Sequence, residues 1–535
     1  MGLARRPWAN VSPSNPQGKF PCAANAPASS CSLTLPVSAP NFSRSDRFRD
    51  GALYAKDYWK PRRRLAVSMG VRWDYFGVQH NGNPNLDSTW YAPGVGFADD
   101  NLGAYLRNGG LQVAPGSPVG GLWKPDWKDF APRVGVAWDV FGDGRTSLRG
   151  GYGIGYDRNF GNVTFNVIQN LPNYAVLDAS GAIMTNNFGP LSGGAGTVAL
   201  PQVGARIVDP DLKTAYAHFW SAALQRAFGR SLVYSAEYSG SKGVNLYSVS
   251  YPNQIGFGNF ALGDPCSGNG DCVSQPNANH GEDVGYRGNQ GFSIYHSLNN
   301  RLTVKNFLNS GLMLTVNYTW SHAIDNISST FFEAGGQGVA SQYGNQNITI
   351  NNGDFDLGLL DPYNPKLDRG DAEFDVRHRV VLSGNWQVPA WKKSGRTLSA
   401  RMGALPGGWS VNPIFLARSG QPFSVFDSDA QTLDLNIPRA IFVGSFPLRR
   451  NTFVATPSPD LYQIITFQPT QIAHAPNPLV PGGMWLSAMS HRDLFRARGS
   501  GISTWPYLRT PGLPNALPCN CVPNSSMFST MRTFT

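Results

Sequence analysis

A chain of 535 residues with only 15% charged side chains, against roughly 25% in ordinary soluble domains, can hold several soluble domains or one large barrel. Its 60 glycines and 12% aromatics suit many strands and polar loops and argue against a helical protein. The formal charge of +10 reads as a solvated or lumen-facing surface. Lys and Arg form no stripe interleaved with stacking aromatics, so no nucleic-acid partner is expected.

The amino-terminal text MGLARRPWANVSPSNPQGK is basic but has no apolar core, so it does not read as a signal peptide. Residues 1–50 are expected to be an irregular Pro/Ser/Asn-rich segment. The chain contains no apolar run of about 18 residues, the length a transmembrane helix needs. Six cysteines fall into close pairs. Cys22/Cys31 and Cys266/Cys272 sit in Gly/Asn/Ser/Pro-rich text and are expected to close short loops as disulfides in an oxidising compartment.

From residue 51 onward the chain alternates strictly. In Leu65–Tyr75 the positions Leu65, Val67, Met69, Val71, Trp73 and Tyr75 oppose Ala66, Ser68, Gly70, Arg72 and Asp74. One face is oily and the other wet, the period of a half-buried strand. The same pattern returns at 130–140, 146–157, 312–320 and 376–388, where His378 is a polar exception on the apolar face.

The connections alternate too. The stretches KPRRR (60–64), FGDGRTS (141–147), FGRS (228–231) and FLNSG (307–311) are hairpin-turn signals. Between the hairpins lie polar segments at 78–128, 158–213, 244–291, 326–375 and 426–500, far beyond the median loop of about 4–6 residues. Short turns on one side, long loops on the other and strands of about 9–11 residues describe an antiparallel transmembrane β-barrel of the outer membrane. Trp73, Tyr75, Trp138, Tyr318, Trp320 and Trp386 lie on the apolar face near strand ends, where an interfacial aromatic girdle belongs. The competing architecture is a large soluble β-sandwich with aromatic core residues.

The stretch DRGDAEFDVRHRVVLSGNWQVPAW (368–391) packs opposite charges directly ahead of a strand. Asp368, Arg369, Asp371, Asp375, Arg377 and Arg379 are expected to form a charged rim between a long loop and a lumen-facing strand. Exposed pairs of this kind contribute only about 0–1 kcal/mol, so the rim orients the loop more than it stabilises the barrel. Asp371, Asp375 and His378 raise the possibility of acid/base or metal chemistry; a charged rim accounts for them more simply. Asp264 and Asp271 could hold a calcium ion, but a disulfide-closed loop explains that stretch without one. GGYGIGYD (150–157) lacks the following helix a phosphate loop needs. No catalytic residue, metal or cofactor is assigned.

These segments resemble a known family. DRGDAEFDVRHRVVLSGNWQVP, with FAPRVGVAWDVFGDGRTSLRGGYGIGYDR (130–158) and YHSLNNRLTVKNFLNSGLMLTVNYTWSHAIDN (295–326) among others, is similar to the barrel signature of Oar-like TonB-dependent outer-membrane proteins. The resemblance runs from about residue 51 to 505. It implies a barrel of roughly 22 strands with a plugged lumen, a place in the outer membrane among its lipid and lipopolysaccharide, and the TonB energy-coupling protein as partner of the full-length parent. It also implies uptake or export of a large, unidentified substrate; a structural or adhesive surface protein without active transport is the alternative. About eleven candidate strands, no plug and no TonB box lead us to expect the carboxyl-terminal barrel portion of a longer protein. After Trp505 the alternation stops, and residues 506–535, with Cys519 and Cys521, are expected to be out-of-frame text, because a shifted codon reading permits a family-like aromatic ending.

Overall fold

The computed structural model describes residues 45–92, 102–159, 205–253, 284–306, 311–328, 362–387 and 409–423, with Asn170, Asn277, Leu359 and short strands elsewhere. Its main sheet is a meander. The strands are β1 (Asp50–Arg62), β2 (Leu65–Phe76), β3 (Asp129–Asp139), β4 (Thr146–Asp157), β5 (Ala215–Phe228) and β6 (Leu232–Ser250). They continue as β7 (Gly285–Lys305), β8 (Leu312–Asp325), β9 (His378–Gln387), β10 (Ile414–Arg418) and β11 (Gly499–Thr504). Each hydrogen-bonds the next in chain order. The tight turns fall at one end of the sheet and the long loops at the other. The sheet is open, and β1, exposed along all 13 residues, forms one edge. No helix of the described residues is long and apolar enough to cross a membrane.

The turns follow from their residues. Between β3 and β4 the Asp139 carboxylate accepts from the Gly142 and Gly144 amides at 2.9 and 3.1 Å. Both glycines sit at positive φ, 77° and 67°, a conformation that costs glycine nothing and other residues about 1 kcal/mol or more. Gly229 and Gly311 do the same at φ 60° and 68°.

Register fixes the faces, because residues directly opposite one another share a side. Leu65, Trp138, Leu148, Leu224, Ala236, Asn300, Tyr318 and Val380 lie in one line across eight strands. This is the apolar face, and its large side chains stay uncovered: Val71, Val134, Trp138, Leu148, Leu224 and Trp320 are all exposed. An apolar sheet face on which none of the described residues packs is what a strand wall facing lipid presents. The opposite face carries Arg72, Arg133, Arg149, Glu237, Asn299, Arg301, Thr319 and Arg379 by the same register, with Phe219 as an apolar exception.

The core sits outside the barrel wall, in the loops. Trp90, Leu102, Tyr105, Leu106, Ile207, Val284 and Tyr286 form one buried cluster; Ala114, Leu122, Trp123, Val208, Leu212, Tyr247 and Val249 form a second. Segment 244–291, which the sequence reads as loop, begins and ends in strand. Past irregularities at Gly243/Leu246 and Leu246/Ser248, with Asn245 at φ 52°, β6 and β7 keep pairing to Ser250 and Tyr286. Arg206–Val208 joins β7 in parallel there. Beyond the bulges, Tyr247 and Val249 of β6 and Tyr286 of β7 join the buried clusters of the loop cap. Asn277 ties the cap across the chain: its side-chain amide donates to Leu106 O at 2.8 Å, and its backbone amide to Asn253 Oδ1 at 2.8 Å. In the carboxyl-terminal region, Tyr507–Arg509 pairs with Trp409–Val411, and Arg532–Phe534 with β11. Cys22, Cys31, Asp264, Cys266, Asp271 and Cys272 lie outside the described residues.

Candidate functional site

The charged stretch ahead of β9 is folded onto the upper end of β8. After a short 3-10 turn at Pro365–Asp368, Gly370 and Asp371 pair with Asp325 and Ile324. The Ala372 amide donates to Ala323 O at 3.0 Å, and Ser321 N to Arg377 O at 3.0 Å. Ala323 N in turn donates to Asp375 Oδ1 at 2.7 Å. Sequence reasoning expects exposed pairs; the structure instead buries Asp375 and Asp368 at 2% and 3% exposure, which makes the partners of Asp375 matter far more than a surface pair would.

Arg377 supplies them. Its Nε donates to Asp375 Oδ2 at 2.9 Å, and its terminal nitrogen lies 2.9 Å from both oxygens of Asp371. The same nitrogen is 2.6 Å from His322 Nε2, which is 2.7 Å from Asp371 Oδ1. One imidazole nitrogen cannot donate to Asp371 and accept from Arg377 at once. A proton on Nε2 serves Asp371; a proton on Nδ1 frees Nε2 to accept from the guanidinium. Either tautomer leaves the ring in place.

His322, Asp371 and Asp375 offer ligand atoms within 4.8 Å of one another, a metal-like spacing. Arg377 already bridges all three, so the cation of this cluster is the guanidinium. The arrangement is a clamp from loop to strand. The histidine brought to the two aspartates is His322, not His378. Its signal was in the alternation, two residues beyond Trp320 on the apolar face. Arg377 turns to that outward side, whereas Arg379, opposite Thr319 and Arg418, keeps to the polar face. Arg369 is exposed.

The aromatic residues divide between the two ends of the sheet. Trp138 and Trp386 stand near the tight turns. Trp73 and Tyr75 stand near the loops and stack with Trp127, which the sequence reading left out. The Tyr75 and Trp127 rings are 3.9 Å apart, and Trp73 Nε1 donates to Trp127 O at 2.9 Å. Trp320 faces outward opposite His378. Tyr318 bonds that same histidine at 2.9 Å, which accounts for the polar residue interrupting an apolar face.

Above the wall, the cap buries polar atoms in pairs. Burial raises the Tyr105 hydroxyl well above the usual phenol range, and Asp209 and Asp211 add to the shift. That hydroxyl therefore stays protonated and can donate.

Solved structures similar to the chain include the outer membrane transporter YddB from Escherichia coli, 9% identical at a TM-score of 0.34, covering 77% of this chain and 51% of that one. The ferric citrate transporter FecA is 9% identical at 0.33, covering 84% and 45%. The ferric enterobactin receptor PfeA from Pseudomonas aeruginosa is 11% identical at 0.30, covering 74% and 48%. The chain thus spans about half the length of these proteins. No curated protein matches it. Residues 20–483 match the family described as outer membrane beta barrel domain. With an open apolar face, a polar opposite face and loops at one end, the chain belongs to this outer-membrane β-barrel family.

Proposed function

We propose that the chain is the barrel portion of a TonB-dependent receptor that moves a large polar substrate across the outer membrane. The observation that carries this reading is a continuous polar face together with packed loops at one end of the sheet. Arg133, Arg149, Glu237, Arg301 and Arg379 line the side that becomes the lumen, and the long loops at one end of the sheet gather two buried clusters. A passage lined with charge and roofed by packed loops suits a gated route better than an open pore. The resemblance of 368–389 and its companion segments to Oar-like proteins supports the energy-coupling protein as partner. The aromatic residues serve as anchors at the two interfaces, and the clamp at Arg377 holds the loop before β9 in register.

The test compares the parent organism with strains lacking either this gene or the coupling protein, by profiling what each removes from its medium. Solutes whose depletion needs both genes support transport. Unchanged depletion together with loss of surface attachment would replace transport by the adhesive reading.

A further inference from the structure

The outward face carries a repeated polar device. Tyr152 hydroxyl and His218 Nδ1 are 2.7 Å apart, Tyr238 and His296 Nδ1 2.7 Å, and Tyr318 and His378 Nδ1 2.9 Å. Each pair joins the two strands that flank a long loop: β4 with β5, β6 with β7, β8 with β9. In each, the tyrosine lies opposite the residue two positions from the histidine on the loop-distal side: Trp220, Leu298 and Val380. From one pair to the next the register descends by two residues over two strands. Tyr152 lines up with Gly240, two above Tyr238; Tyr238 lines up with Trp320, two above Tyr318. That drift is the stagger of strands tilted in a barrel, so the three pairs stand at one height in the membrane.

That height lies in the upper part of the apolar face: Leu148, Leu224, Leu298 and Val380 lie below it, and Ile154, Ile294, Trp320 and Ile324 lie level with it or above it. Lys242 stands on the same face, directly opposite His218, and is exposed. The outward positions of β4 to β9 contain no carboxylate among the described residues; Asp371, which pairs with Ile324, is held by Arg377 and His322. With Nδ1 engaged by a tyrosine, each histidine meets its surroundings through Nε2.

We propose that this belt docks phosphate-bearing headgroups of outer-leaflet lipid, with His218, Lys242, His296 and His378 as the contacts. Basic donors with no opposing carboxylate complement an anion. Their continuity with the apolar band requires that anion to carry an acyl tail, which selects a lipid over a soluble phosphate.

The full chain is reconstituted in nanodiscs of phosphatidylcholine containing phosphatidylglycerol, and the lipid that stays bound after transfer to neutral detergent is read by native mass spectrometry. The wild-type chain enriches phosphatidylglycerol. Lys242→Gln, a change on an exposed side chain, lowers that enrichment about fivefold, and the combined variant with His218→Gln, His296→Gln and His378→Gln abolishes it. Heat-modifiable migration on gels confirms that each variant is folded; if the combined variant does not fold, Lys242→Gln alone decides. Equal retention of both lipids by the wild-type chain, or undiminished enrichment in a folded variant, overturns the proposal. So does broadening of the inorganic phosphate ³¹P signal by lipid-free protein that is lost in Lys242→Gln, because the belt would then take a free anion.

Discussion

Trp90 and Tyr105 hydrogen-bond each other's backbone in both directions: Trp90 Nε1 donates to Tyr105 O at 3.1 Å, and the Tyr105 hydroxyl donates to Trp90 O. Both side chains are fully buried. The pair joins the strand Ser88–Tyr91 to the short helix Leu102–Asn108 and satisfies the polar ends of two large aromatics where water cannot. Gly109 makes room for it, since a Cβ there would run into Trp90 Nε1 and Tyr105 O. Gly109→Ala should therefore break the pair and loosen the cap by about 1–3 kcal/mol. Limited proteolysis should cut near residues 90–110 first, while heat-modifiable migration of the barrel persists. Unchanged cleavage would show that the indole shifts aside without loss.

Arg377→Met should be the most damaging single change in the clamp. It leaves Asp375 buried with one carboxylate oxygen stripped of its cation. Breaking a fully buried pair costs about 3–5 kcal/mol; the partial exposure of Arg377 brings the expectation to about 2–3 kcal/mol. The urea midpoint should fall, and the companion change Asp375→Asn should recover part of the loss. A midpoint equal to wild type would mean the clamp is only decorative.

Asn300 is a polar residue in the middle of the lipid-facing side. Tyr234 covers it, its hydroxyl donating to Asn300 Oδ1 at 2.6 Å. Tyr234→Phe should destabilise by about 1–2 kcal/mol by stranding that acceptor. Adding Asn300→Leu should reverse the loss, since both polar partners are then gone. Additive losses in the double variant would refute the pairing.

The stack of Trp73, Tyr75 and Trp127 should sit at headgroup depth. In bilayers whose lipids carry bromine at the shallowest acyl carbons, Trp73→Phe should remove a quenchable part of the tryptophan emission. Bromine near the chain ends should quench that part less. The reverse order would place the stack in the hydrocarbon and displace the interface from the loop ends of β2 and β3.

The wall of this protein was legible because lipid on one side and polar groups on the other impose a period of two on every strand. The turns were legible because Asp139, Gly142 and Gly144 can do little else. The cap was not. Trp90, Tyr105, Ile207 and Tyr286 come from separate polar-looking segments, and only tertiary contact shows that they share a core. The clamp was half legible: the density of charge before β9 was plain, but the pairing of Arg377 with His322 depends on β8 standing beside it. His378 is instructive in another way. It breaks the alternation, and the break is explained by a hydroxyl on the neighbouring strand that no one-dimensional pattern records.

The bond from Asn277 to Leu106 spans 171 positions of sequence, whereas the hairpins of the wall close over a few residues. Contacts separated that far carry more loop-closure entropy than the tight hairpins and are expected to form after them. The order of assembly follows: hairpins first, then the wall, then the roof. A newly inserted molecule is therefore expected to pass through a stage in which the strands are paired and the loops at their upper ends are still unpacked, so that the packing of those loops is the last event of its folding.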